Sequence, residues 1–99
     1  MEIQLTPFVR NYFSNPDEQK QLFDFIQIKL PIYVTSHSSK IKLVRQGVAL
    51  YELKIRVGRD FYRLAYTYQK ETIVACYLTK TLQKVRFDKE VNKYLKEQP

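Results

Sequence analysis

The chain has 99 residues, 44% of them apolar and 14% aromatic, which is enough for one domain with a modest core and too little for two. Seventeen Lys and Arg against ten Asp and Glu leave a net charge of +7, favouring a polyanionic partner such as nucleic acid, an anionic membrane surface or an acidic protein. A single cysteine excludes an internal disulfide, one cysteine with one histidine argues against a zinc site, and no apolar run is long enough to span a bilayer, all of which fits a reducing cytoplasm.

The opening MEIQLTPFVR lacks the basic start and apolar stretch of a signal peptide and reads as a short strand, followed by a short helix or turn in PFVRNYF. SNPDEQKQLFDFIQIKLP carries clear helix signals. Asn15 suits an N-cap, Pro16 the first helical position, and Glu18 completes a capping-box spacing. Leu22, Phe23, Ile26 and Leu30 fall on one helical face, and Pro31 is expected to end the helix at about Leu30. The polar stretch IYVTSHSSK then reads as a loop. Its His37 is either a solvated side chain or, because histidine is the commonest general base, a catalytic one. IKLVRQGVAL leads into a hairpin, with Gly47 marking a turn.

Residues 50–66, LYELKIRVGRDFYRLAY, permit a register argument. A two-residue loop at Gly58-Arg59, glycine first, sets Val57 opposite Asp60, Ile55 opposite Tyr62, Leu53 opposite Leu64 and Tyr51 opposite Tyr66. Apart from the turn-closing pair, these pairs give one apolar face, and the other face carries Arg56 opposite Phe61, Lys54 opposite Arg63 and Glu52 opposite Ala65. A three-residue loop would put Ile55 against Arg63 and mix the faces. The like-charge neighbours Lys54 and Arg63, with Arg56 diagonal, have two explanations. They are a solvated outer face on which Glu52 relieves Arg63, or an anion site whose repulsion a bound phosphate relieves. Removing Arg63 is expected to relieve that repulsion and leave stability unchanged or slightly higher.

The continuous apolar run TIVACYL (72–78) suits a strand buried on both faces. TKTLQKVRF is basic and expected to be irregular; its Lys80, Lys84 and Arg86 form a second cationic cluster that returns towards the hairpin if the apolar strand pairs beside residues 61–68. The tail DKEVNKYLKEQ places Val91, Tyr94 and Leu95 at helical spacing, with Asp88 as the expected N-cap. The order implies an α+β domain covering residues 1–99: a small antiparallel or mixed sheet of three to four strands, packed by N-terminal helices and closed by a short C-terminal helix.

Three stretches, LYELKIRV, FYRLAY and TIVACYLTKTLQK, resemble the RelE/ParE superfamily of bacterial toxins, most closely its RelE and HigB-like branch. The likeness runs from Gly47 to Lys84. The resemblance implies a type II toxin that cleaves messenger RNA on the ribosome without a metal or other cofactor, partnered by a neutralising antitoxin and not by a membrane. By position it matches Lys54, Arg56, Arg63, Lys80 and Lys84 to the family's basic residues; Arg63, Arg56, Lys54 and Lys84 are expected to be catalytic, and Lys80, Gln83, Arg86 and Arg59 to bind RNA or phosphate. RelE carries a functional tyrosine where this chain has Phe87, and the HigB-like aromatic with two lysines is replaced by Leu78 and TKT. ParE-like relatives act instead on DNA gyrase, and a basic module that binds nucleic acid or protein without cutting is a further alternative.

Metal-free RNA cleavage requires deprotonation of a 2′-OH, stabilisation of a dianionic phosphorane and protonation of the 5′-oxygen, with cations at the developing charge contributing most. Arg63 and Arg56 suit the clamp because guanidinium is bidentate and permanently charged. Lys54, crowded by them, is a candidate base, and Lys84 or Lys80 a candidate acid or backbone contact. Tyr77 is an alternative proton-transfer hydroxyl, or simply an aromatic packed in a buried strand.

Overall fold

Five strands form one mixed sheet in the order β1-β5-β4-β3-β2, comprising β1 (Glu2–Leu5), β2 (Lys42–Arg45), β3 (Leu50–Val57), β4 (Asp60–Gln69) and β5 (Thr72–Thr79). The computed structural model describes residues 1–36, 42–45 and 50–97, with the backbone alone for 42–45; His37 and Gly47 lie outside the described residues. The α+β class is as the sequence implied, with β2 extending the sheet to five strands.

The hairpin adopts the expected register, with Ile55 opposite Tyr62, Lys54 opposite Arg63 and Arg56 opposite Phe61. Gly58 takes φ +63° at the first loop position, the conformation that selects glycine there. Its N–H donates to Gln21 Oε1 at 2.8 Å, tying the hairpin tip to the helix below. The β4–β5 turn places Lys70 and Glu71 at φ +49° and +62°, a left-handed pair with no glycine to relieve it. β1 runs parallel to β5, pairing Ile3 with Ile73.

Asn15 caps α2 (Pro16–Asp24) as read, its Oδ1 accepting from the N–H groups of Asp17 and Glu18 at 2.8 and 3.2 Å. The helix does not stop at Leu30. It widens into a π-helical turn over Phe25–Lys29 and continues as α3 (Leu30–Thr35). Leu30 N–H bonds the carbonyl of Phe25, five residues back, so the wider turn relieves the clash that Pro31 would make in a regular α-helix. Residues 30–35, expected as the helix end and a loop, are therefore helical.

α1 (Pro7–Arg10), α2, the π turn and α3 supply one sheet face, where Val9, Leu22, Ile26, Leu30 and Val34 pack on Leu53, Ile55, Tyr62, Leu64 and Tyr66. The other face is not fully solvated. α4 runs Lys84–Glu97, starting four residues before the expected cap at Asp88, and lays Phe87 and Val91 on Leu50, Ala65 and Cys76. Asp88 sits within the helix and pairs with Lys84 at 2.9 Å, an i,i+4 contact.

Candidate nucleic-acid interface

The α4 end of the outer face is apolar; the hairpin end is cationic. Lys54 and Arg56 project from alternate positions of β3 and are exposed, while the intervening Ile55 is buried. Between them on β4 stands Phe61, 45% exposed. Lys54 Nζ lies 4.7 Å from the Phe61 ring centroid and the Arg56 guanidinium carbon 5.8 Å from it. Arg56 Nε also donates to the Gly58 carbonyl at 3.2 Å, and neither cation has a carboxylate partner among the described residues.

These residues border a groove of about 550 Å³, open to solvent, whose other wall is Phe25, Lys29 and Tyr33. That wall comes from the π turn and α3. Phe25, Lys29 and Tyr33 recur every fourth residue, beside the buried stripe of Ile26, Leu30 and Val34. Sequence reasoning missed all three because Phe25 and Lys29 fell off the apolar helix face of Leu22, Phe23, Ile26 and Leu30, and Tyr33 was read as loop; no local signal shows that the helix continues past Pro31.

Arg63 is held differently from its neighbours. Nη1 donates to Glu52 Oε2 at 2.6 Å and Nε to the Leu82 carbonyl at 2.7 Å, and the guanidinium lies 5.9 Å from the Phe87 ring centroid. Its side chain is 18% exposed and that of Glu52 1%. Glu52 does relieve Arg63, but in a buried pair and not on a solvated surface. The expectation that removing Arg63 leaves stability unchanged is therefore corrected: Glu52 would be left buried without its counter-charge. The Arg63–Leu82 bond holds the 79–83 connection against β4, and Arg63 pairs in register with Thr79, but the expected second cluster does not join the first: Lys80 turns to the face of Tyr62, and none of Lys80, Lys84 and Arg86 lines the groove with Lys54 and Arg56.

Lys80 pairs with Asp60 at 3.3 Å and lies over the Tyr62 ring at 5.9 Å. The Asp60 carboxylate raises the Lys80 ammonium above its ordinary pKa, which keeps it a cation and makes it a weaker acid. Lys84 is occupied by Asp88. Gln83 and Arg86 are exposed at the start of α4, and Arg59 is exposed in the hairpin loop. Tyr77 stacks on Phe8, with centroids 4.9 Å apart and planes 12° apart, and lies 4.7 Å from Tyr94. Burial and the neighbouring Glu90 carboxylate raise its pKa, and its ring packs among aromatics away from the groove. Phe87 is fully buried in the second core, a structural position. Among the described residues no group of acidic, His or Cys side chains could hold a metal ion, and no helix is long and apolar enough to cross a membrane.

No family model, curated protein or solved structure matches the chain.

Proposed function

We propose that the chain is a toxin of the RelE/HigB-like kind, a metal-independent endoribonuclease that cleaves messenger RNA on the ribosome in the cytoplasm and is neutralised by a cognate antitoxin. The observation that carries this reading is the exposed pair Lys54 and Arg56, fixed by the hairpin register on either side of Phe61 and facing Lys29 across the groove. Cations with no carboxylate partner among the described residues, next to the exposed Phe61 ring, match the chemistry of a single-stranded RNA backbone and its bases.

In this reading Lys54 and Arg56 contact the scissile phosphate. The 2′-oxygen attacks phosphorus as it loses its proton, the P–O5′ bond breaks, and the 5′-oxygen takes up a proton, leaving a 2′,3′-cyclic phosphate and a 5′-hydroxyl. Arg56 and Lys54 stabilise the charge that builds on the phosphorane. Arg63, engaged by Glu52 and Leu82, acts by positioning the connection that carries Lys80, Gln83 and Lys84. Lys80, paired with Asp60 and outside the groove lining, suits contact with the RNA backbone.

The test is induced expression with mapping of messenger 5′ ends in translating cells: discrete codon-linked cuts support the proposal, and intact messages sink it. One observation favours a second reading, RNA or protein binding without cleavage. Among the described residues the only carboxylate lining the groove, Glu52, is buried against Arg63. A ParE-like action on gyrase would appear in the same experiment as DNA damage with uncut messages.

A further inference from the structure

Lys54 and Arg56 are two residues apart on one strand and point to the same face, so their charges repel unless something holds them. No carboxylate does so among the described residues; the group between them is a phenyl ring. Phe61 is directly opposite Arg56 and diagonal to Lys54, the two cross-strand positions from which one ring can meet both side chains. An aromatic 45% exposed on a half-polar sheet face gives up little water-exposed area by being there. Its quadrupole attracts both cations while leaving their outward N–H groups uncommitted. A carboxylate in that place would neutralise the cations and repel an anionic ligand.

We propose that Phe61 is a positioning residue that preorganises Lys54 and Arg56 as a two-pronged clamp for one phosphodiester of single-stranded RNA. This rests on the reading of the groove as an RNA site and adds how its cations are held. The ring fixes the side chains before the ligand arrives, so less conformational freedom is lost on binding. The groove, about 550 Å³ and walled on the far side by Phe25, Lys29 and Tyr33, is of small-ligand size and has room for a nucleotide unit and not a duplex.

The experiment measures binding of a short single-stranded RNA, made uncleavable by 2′-O-methylation, to the intact chain over a salt series. The variants are Phe61→Leu, Phe61→Tyr and the double variant Lys54→Ala/Arg56→Ala. Thermal unfolding is measured for each, and the Lys54 ε-methylene proton shift is followed by NMR. Phe61→Leu is expected to weaken binding about fivefold with the fold intact, and to abolish the upfield ring-current shift at Lys54. Phe61→Tyr is expected to restore both. Loss of binding in the double variant supports the RNA reading. A double variant that binds like the parent overturns that reading itself. A double variant that loses binding while Phe61→Leu binds like the parent overturns the positioning role alone. Failure of Phe61→Tyr to restore affinity while restoring the Lys54 shift also overturns it.

Discussion

Replacing Arg63 by Ala is expected to be among the most destabilising single changes outside the main core. The substitution removes the 2.6 Å contact to Glu52 and the 2.7 Å bond to the Leu82 carbonyl. Glu52 is 1% exposed and its second oxygen has no hydrogen-bond partner, so all compensation for its burial comes from Arg63. Breaking a buried pair from one side costs about 3–5 kcal/mol, because the surviving charge stays desolvated. The Leu82 bond, worth about 1 kcal/mol on its own, falls within that range. Against the 5–15 kcal/mol typical of a domain this is a large fraction, and it corresponds to a fall in Tm of roughly 15–30 °C. Urea unfolding measures it directly. The double variant Glu52→Leu/Arg63→Met should recover most of the loss, since apolar replacement of a buried pair is often neutral or better. An Arg63→Ala protein within about 1 kcal/mol of the parent would refute the reasoning, because surface pairs are worth no more than that. Loss of toxicity in Arg63→Ala is therefore no measure of catalysis unless folding is measured alongside.

The remaining expectations concern the second turn, the far groove wall and the buried thiol. Glu71→Gly should stabilise the chain by about 1 kcal/mol, since Glu71 holds φ +62° where a side chain is strained, and the gain is read as a raised urea midpoint with unchanged slope. Lys29→Ala should weaken RNA binding and lower the slope of log K against log[salt] by about 0.7, the value for one phosphate contact on a single strand. Burial pushes the Cys76 thiol up from 9.0 to about 11, and the neutral thiol donates to the Ala65 carbonyl at 3.4 Å. Below pH 9 both states hold that proton. Between about pH 9 and 11 the unfolded chain releases it and the folded chain keeps it, so folding stability falls as pH rises, by roughly 2–3 kcal/mol for two pH units. Unfolding at stepped pH should show this fall, and Cys76→Ala should show less of it; equal falls in both would remove Cys76 as the cause.

Local rules made much of the fold legible. The hairpin register followed from side-chain alternation about a single glycine, and the α2 cap from Asn15-Pro16. The apolar run 72–78 announced a strand packed on both sides, as β5 is. What was hidden depends on contacts between distant parts of the chain. The end of the helix was misread at Pro31 because a π turn can absorb a proline, and no local signal distinguishes that outcome from termination. The start of α4 was placed late because Phe87 and Val91 become a helix face only against Leu50, Ala65 and Cys76. On that same sheet face Glu52 is buried, and Arg63, its guanidinium over the Phe87 ring, is half of an ion pair with it and not a free cation. The cationic residues of the site were thus visible as residue types, whereas their availability was not. Lys54 and Arg56 are exposed and have no carboxylate partner among the described residues; Arg63, Lys80 and Lys84 are paired with Glu52, Asp60 and Asp88.

The central claim is that Lys54 and Arg56 contact RNA at the point of cleavage. It is tested most directly by adding the purified protein to ribosomes stalled on a defined messenger and quantifying the 5′-hydroxyl fragment over time, for the parent and for Lys54→Ala/Arg56→Ala. Both side chains are exposed and have no carboxylate partner among the described residues, so the double variant should unfold within about 1 kcal/mol of the parent. The account predicts cutting at discrete codon positions by the parent and a loss of about a hundredfold or more in rate in the variant. A parent that leaves the messenger intact, or a folded double variant that cuts as fast as the parent, would contradict it.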